Sequence, residues 1–73
     1  MPTERYNTEL MPVYGGYDLI ISEKETTVTL FIQDPAHADF ISAQIIQIAK
    51  SQMIDLQTAV SIFNRGTGMF ENN

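Results

Sequence analysis

The stretch that decides the fold is "YDLIISEKETTVTLFI", which runs from Tyr17 to Ile32. It contains two apolar, β-branched runs, one on each side of the polar sequence "SEKET". Successive side chains of a strand point to opposite faces, so each run places alternate apolar residues on one face. The six residues that alternate in this way are Tyr17, Leu19, Ile21, Val28, Leu30 and Ile32.

The two runs are predicted to form an antiparallel hairpin. A register that pairs Ile21 with Val28 brings all six alternating residues to the same face. A two-residue loop at Lys24 and Glu25 would need a positive φ, which neither residue favours, so we predict a four-residue loop around a type I turn. An isolated hairpin is only marginally stable, and this one must therefore pack against other parts of the chain.

The second face of the hairpin is mixed, with Ile20 and Phe31 as its apolar members. The N-terminal segment, a second helix or a second subunit would cover it. In a twofold dimer, two hairpins would join into one four-stranded sheet and close one edge of each. The alternative is a monomer in which the N-terminal segment adds a third strand. We prefer the dimer, and the sequence leaves the monomer open as the alternative.

Residues 1–16 are predicted to form an arm that docks on the rest of the protein. Pro2 and Pro12 discourage regular pairing, and the Gly15-Gly16 pair is a strong breaker of regular structure. The segment from Leu10 to Tyr14 is too apolar for a solvated tail. It could lie along a sheet edge, where proline is tolerated.

Two helices are predicted after the hairpin. Asp34 and Pro35 form a typical helix start, and the helix is expected from Pro35 to about Lys50. Asp55 can cap a second helix that ends before Gly66. The first helix carries an apolar stripe wider than one contact surface requires. That stripe contains Ala38, Ile41, Ile45, Ile48, Ala49 and Gln52, and it is widened by Phe40, Ala43 and Ile46.

The predicted fold class is α+β, a small single domain with an arm, an antiparallel hairpin and two helices. Its parts are a docking arm over residues 1–16, a ββαα core over 17–66 and a tail over 67–73. A chain of 73 residues buries a limited fraction of its surface. Domains of this size are often stabilised further by disulfides, a metal ion or a second subunit. The chain has no cysteine and a single histidine, which leaves tight packing or association.

Composition restricts the function classes. The formal net charge is −5, and an acidic chain with four scattered basic residues is a poor ligand for nucleic acid. No apolar run approaches the length of a membrane span, and the opening residues lack the apolar segment of a signal peptide. We therefore expect a cytoplasmic protein that contacts neither nucleic acid nor membrane.

No catalytic, metal-binding or cofactor-binding motif is found. His37 lies between Asp34, which has a capping role, and Asp39, which helical spacing does not place beside it. We therefore expect an exposed surface histidine, and no enzyme activity, metal or cofactor. The leading hypothesis is a small acidic module that binds another protein and forms a homo-oligomer, with an accessory or inhibitory role of the kind found in phage and mobile elements. Candidate interface residues, which are apolar, aromatic or uncharged polar side chains, are Tyr6, Met11, Tyr14, Ile20, Phe31, Gln44, Gln47 and Phe70.

Two further hypotheses remain open. One is an oligomer that binds a small anion or nucleotide in a pocket between subunits, through Arg5, Lys50 and Arg65. The other is a structural subunit of a larger assembly such as a virion.

Overall fold

A computed structural model describes residues 6–67 of the chain. The sheet contains β1 (Tyr6–Val13), β2 (Gly16–Glu23) and β3 (Thr26–Ile32), in that order and antiparallel throughout. A single 3₁₀ turn, Pro35–His37, leads into α1 (Ala38–Gln52), and α2 (Leu56–Thr67) follows. This arrangement confirms the α+β class, with three strands because the predicted arm forms one of its own.

The central hairpin has the predicted register. Leu19 lies opposite Leu30, and Ile21 lies opposite Val28. The predicted four-residue loop is wrong, because Glu23 pairs with Thr26 and leaves a two-residue loop. Lys24 takes the positive φ that such a loop requires, at 52°. A residue with a Cβ atom is therefore held in the left-handed region, where glycine is normally found.

The predicted docking arm is strand β1. The loop that joins it to β2 consists of Tyr14 and Gly15, and Gly15 supplies the positive φ at 84°. Val13 and Gly16 close this loop as a hydrogen-bonded pair, so the next residue, Pro12, points its backbone nitrogen away from β2. Proline has no N–H to donate, and it is tolerated at this outer edge of the sheet.

Polar side chains and one unusual backbone conformation fix the helix boundaries. The Asp34 carboxylate accepts a hydrogen bond from the Ala36 backbone N–H at 3.0 Å, as expected of a helix start. Met53 ends α1 with a φ of 56°, and the Ile54 N–H donates to the Ala49 carbonyl at 3.1 Å. This is the bond of a Schellman motif, and it separates the two helices without a glycine.

The second helix begins as predicted but ends later. The Asp55 carboxylate accepts from the Thr58 backbone N–H at 2.8 Å and caps the first turn of α2. Gly66 was expected just beyond the end of the helix. It lies inside the last turn instead, without a positive φ, and the helix continues to Thr67.

The core lies between one face of the sheet and both helices. Side chains from β2, β3, α1 and α2 form a single buried cluster of Leu19, Ile21, Val28, Leu30, Ile32, Ala38, Ile41, Ile45, Ala49, Leu56, Ala59 and Phe63. Tyr17, the sixth alternating residue of the hairpin, is half-buried against it. The predicted apolar stripe of α1 is narrower than expected, because Phe40 is 58% exposed and Ala43 is also exposed.

Candidate functional site

The sheet has a second face, which the helices do not cover. We call it the open sheet face, and it consists of the odd-numbered residues of β1 and β3 and the even-numbered residues of β2. Every residue of this face is exposed or half-buried. Both helices pack on the opposite face, so no element between residues 6 and 67 lies over it.

The open sheet face has an apolar centre. Phe31 is 47% exposed and Met11 is 44% exposed, although both are large apolar side chains in regular strands. Ile20 and Val13 are half-buried beside them. Two of the covers expected for Ile20 and Phe31 do not lie over them. Strand β1 pairs with β2 within the sheet, and α2 lies on the other face.

A carboxylate lies between the two most exposed apolar residues of the open sheet face. Met11 is the cross-strand neighbour of Asp18, and Asp18 is the cross-strand neighbour of Phe31. Directly opposed residues of an antiparallel sheet have Cβ atoms about 5 Å apart, so the three side chains form one row across the sheet. We call this row the Met11–Asp18–Phe31 row.

The Phe31 ring lies over the backbone of β2 at Gly16. A Cβ atom placed on Gly16 would lie 2.7 Å from Phe31 Cζ, which is far inside van der Waals contact. The ring therefore occupies the space that a side chain at this position would fill. Phe31 is thus exposed to solvent on one side and lies against the Gly16 backbone on the other.

The charged residues of the open sheet face are all acidic. Glu9 and Asp18 both lie on this face, and its other polar side chains are neutral asparagine, serine and threonine. In a protein of net charge −5, the negative potential adds to that of the whole molecule. The face therefore combines an apolar centre with a negative charge.

The structure brings together three of the predicted interface residues: Met11, Ile20 and Phe31 share the open sheet face. The others are elsewhere. Tyr14 is fully exposed at the β1–β2 loop, and Tyr6 is half-buried on the core side of the sheet. Two glutamines, Gln44 and Gln47, lie on the exposed side of α1, and Phe70 lies outside the described residues.

Sequence reasoning did not single out Asp18 or Gly16 as parts of a site. Strand alternation already placed Asp18 on the same face as Phe31, because both lie in the predicted hairpin. Its position beside Met11 could be recognised only once β1 had a register. The requirement for a small residue at Gly16 depends on the Phe31 rotamer, for which the sequence contains no signal.

Of the predicted anion-binding residues, the two that lie within residues 6–67, Lys50 and Arg65, are in different parts of the molecule. Lys50 lines a cleft of about 530 Å³ between the end of the sheet and the helix corner, where Glu23 and Asp55 also lie. Arg65 lies in the last turn of α2, at the other end of that helix from Asp55. Arg5 lies outside the described residues. Two carboxylates beside one lysine do not make this cleft a favourable site for an anion.

Of the two acidic residues at the cleft, Asp55 has a lowered pKa. The Thr58 hydroxyl first, and the Thr58 backbone N–H second, donate to the Asp55 carboxylate and lower its pKa below the ordinary value of 3.8. A capping role accounts for this shift, because hydrogen bonds to the charged form stabilise it. The shift therefore reflects helix capping.

His37 has the exposed position that the sequence predicted. Its Nε2 atom lies 3.9 Å from Asp34 Oδ2, and both side chains are more than half exposed. Within residues 6–67, no group of three or more histidine or carboxylate side chains is placed to hold a metal ion. None of the helices described is long and apolar enough to cross a membrane.

Comparisons with protein-family models, with curated proteins and with solved structures find no match to this chain. The geometry of the open sheet face is therefore the basis of the functional proposal.

Proposed function

We propose that this protein is a non-enzymatic module that binds another protein on its open sheet face. One observation carries the proposal: Phe31 and Met11 remain 47% and 44% exposed in the middle of regular strands. Exposed apolar groups of this size, clustered and rimmed by polar residues, mark interaction surfaces. An accessory or inhibitory role, in which the bound protein changes its activity or availability, fits a small domain of this kind.

The Met11–Asp18–Phe31 row indicates what the partner presents. A guanidinium group can stack on an aromatic face and, at the same time, form paired hydrogen bonds with a neighbouring carboxylate. Phe31 and Asp18 are direct cross-strand neighbours and offer both contacts. We therefore propose a partner surface with an apolar centre and an arginine that lies between the Phe31 ring and the Asp18 carboxylate.

The rim of the face supports a basic partner. Glu9 lies on the same face as Asp18, in the neighbouring cross-strand row of the sheet. A partner with basic residues around its apolar centre would be attracted over a range of about 8–10 Å at physiological salt. Its association rate should then fall as the salt concentration rises.

The test is selection of binders from a displayed library of randomised peptides against the unmodified protein. Enriched peptides are expected to contain an arginine near aromatic or aliphatic residues. Phe31→Ala and Asp18→Asn should each weaken binding of these peptides by about tenfold or more, since both groups belong to the centre of the contact. Binding is measured by isothermal titration calorimetry at two salt concentrations.

Matched control variants are available on α1. Phe40→Ala removes another exposed phenylalanine, and Asp39→Asn removes another exposed aspartate, both on the helical side of the molecule. Neither should change binding. Peptides that bind equally well to the Phe31→Ala and Asp18→Asn variants, or whose binding depends on Phe40, would show that the open sheet face is not the site.

A further inference from the structure

The two edges of the sheet differ in how they are protected. The outer edge of β1 carries Pro12, and the strand also carries the charge of Glu9. Both features discourage the pairing of an edge strand with another chain. Strand β3, over Thr26–Ile32, contains neither a proline nor a charged residue. No other strand between residues 6 and 67 pairs with its outer edge, so the described part of the chain leaves this edge unprotected.

The outward-pointing groups of β3 follow from its register. Glu23 and Thr26 close the β2–β3 loop, so residues of the same parity as Thr26 bond to β2. The backbone N–H and C=O groups of Thr27, Thr29 and Phe31 therefore point away from the sheet. These three residues present six backbone groups in one row.

The surroundings of this edge are also uncharged. Helix α2 lies over β3, and a groove of about 410 Å³ separates them at the edge. Residues 26–33 and 56–64 contain no charged side chain, although the whole chain has four basic and nine acidic residues. Depletion of charge is the compositional feature of an interface core. The helix contributes Gln57, Val60 and Ser61 to the groove.

We propose that a second copy of this chain pairs with the outer edge of β3 and forms a twofold dimer. The strands run antiparallel, with Thr29 opposite the partner's Thr29 and Thr27 opposite the partner's Phe31. This register satisfies about six backbone hydrogen bonds, whereas a shift of two residues in either direction satisfies about four. A shift of one residue would turn the second copy over and oppose groups that point away from each other. The axis is perpendicular to the sheet, so the two α2 helices lie on the same side and adjacent to each other.

The edge suits a second copy because its row of backbone groups is self-complementary about Thr29 and because charge does not oppose the pairing there. Two molecules of net charge −5 repel each other, and identical surfaces bring identical charges together. The edge formed by β3 and α2 is uncharged apart from Arg65 in the last turn of the helix. The chain can therefore meet its own copy here without opposing like charges across the strands.

The dimer also extends the open sheet face. The two three-stranded sheets become one six-stranded sheet, and the partner's Thr27 lies beside Phe31 on its uncovered side. The two Phe31 rings then lie about 14 Å apart along the strands, because four residues separate them. The dimer does not depend on the protein-binding role of this face, although it would present two copies of the row to one partner.

Single cysteines test the register directly, because the natural chain has none. In the proposed dimer the two Thr29 Cα atoms lie about 5.5 Å apart, which a disulfide can bridge. Thr29→Cys should therefore form a covalent dimer under mild oxidation. Thr27→Cys is the matched control, on the same strand and face, and its two copies would be about 14 Å apart. It should cross-link far more slowly.

A charge placed on the axis supplies an independent measurement. Thr29→Glu should shift the protein towards the 8.2 kDa monomer in sedimentation equilibrium at micromolar concentration, because two carboxylates would face each other. Thr8→Glu places the same charge on the other sheet edge and should leave the dimer intact. An 8.2 kDa monomer for the unmodified protein, or equal cross-linking of the two cysteine variants, would overturn the proposal.

Discussion

Phe31 lies across Gly16, with Cζ of the ring 2.7 Å from the point that a Cβ atom on Gly16 would occupy. The same Cβ atom would be 2.5 Å from the Ile32 carbonyl oxygen. The glycine and the phenylalanine are thus complementary in volume. The exposed ring of the open sheet face depends on the absence of a side chain beneath it.

Gly16→Ala should therefore destabilise the protein by about 1–3 kcal/mol, as expected for overpacking. Urea unfolding followed by circular dichroism measures the change. The matched substitution is Gly66→Ala in the last turn of α2, where a Cβ atom would meet nothing within 4 Å. It should stabilise the protein by about 0.5–1 kcal/mol. Similar effects of the two alanines would show that the space under Phe31 is not tightly occupied.

Lys24 is held at a φ of 52° in the β2–β3 loop, where a residue with a Cβ atom is strained. Lys24→Gly should increase the free energy of unfolding by about 1 kcal/mol, because glycine adopts positive φ without this penalty. Lys50→Gly, in the regular part of α1, should reduce it by about 1 kcal/mol. A loss of stability in both variants would contradict the positive φ at Lys24.

Asp55 should make stability depend on pH. Its pKa is lowered in the folded protein, so the stabilisation that it contributes is complete above the ordinary value of 3.8. The contribution is lost as the pH falls through the lower, folded-state pKa. Asparagine can still cap a helix but carries no charge. Asp55→Asn should therefore lose less stability than the unmodified protein between pH 5 and pH 2, measured by thermal melting. Parallel curves for the two proteins would refute this role.

Leu30 is 8% exposed in the core, whereas Thr29, its neighbour in β3, points to the open sheet face. Leu30→Ala should cost about 2–5 kcal/mol of stability, because it removes buried apolar volume. Thr29→Ala should cost less than about 1 kcal/mol. Both are measured by urea unfolding at a protein concentration that keeps the association state constant. Equal losses would indicate that the faces of β3 are assigned wrongly.

The register of the central hairpin could be predicted because six apolar residues alternate in it. A shift of one residue would have moved Leu19 and Leu30 from the buried face to the open one. Its loop could not be predicted from local preferences. The strands impose the two-residue connection, and Lys24 adopts a φ that an isolated lysine avoids. Tertiary pairing overrides the preference of the loop residue.

The sequence predicts strand β1 less completely than the hairpin, because β1 lacks the alternation that identifies β2 and β3. Its six central residues are all exposed, so it has no alternation of buried and exposed positions to identify it as a strand. The segment is extended because the turn at Tyr14 and Gly15 returns the chain alongside β2. The apolar centre of the candidate site followed from alternation in the hairpin, but the Met11–Asp18–Phe31 row required the pairing of β1 with β2.

The order of the elements has a consequence for how quickly the chain folds. Strands that are neighbours in the sheet are consecutive in the sequence, and the two helices that pack together also follow one another. Each of these pairs closes a loop of only a few residues, which limits the entropy lost before native contacts form. Such a topology should fold on the order of milliseconds or faster, which is rapid for a sheet-containing domain. The apolar residues that the folded core buries would then be exposed to other chains for only a short time.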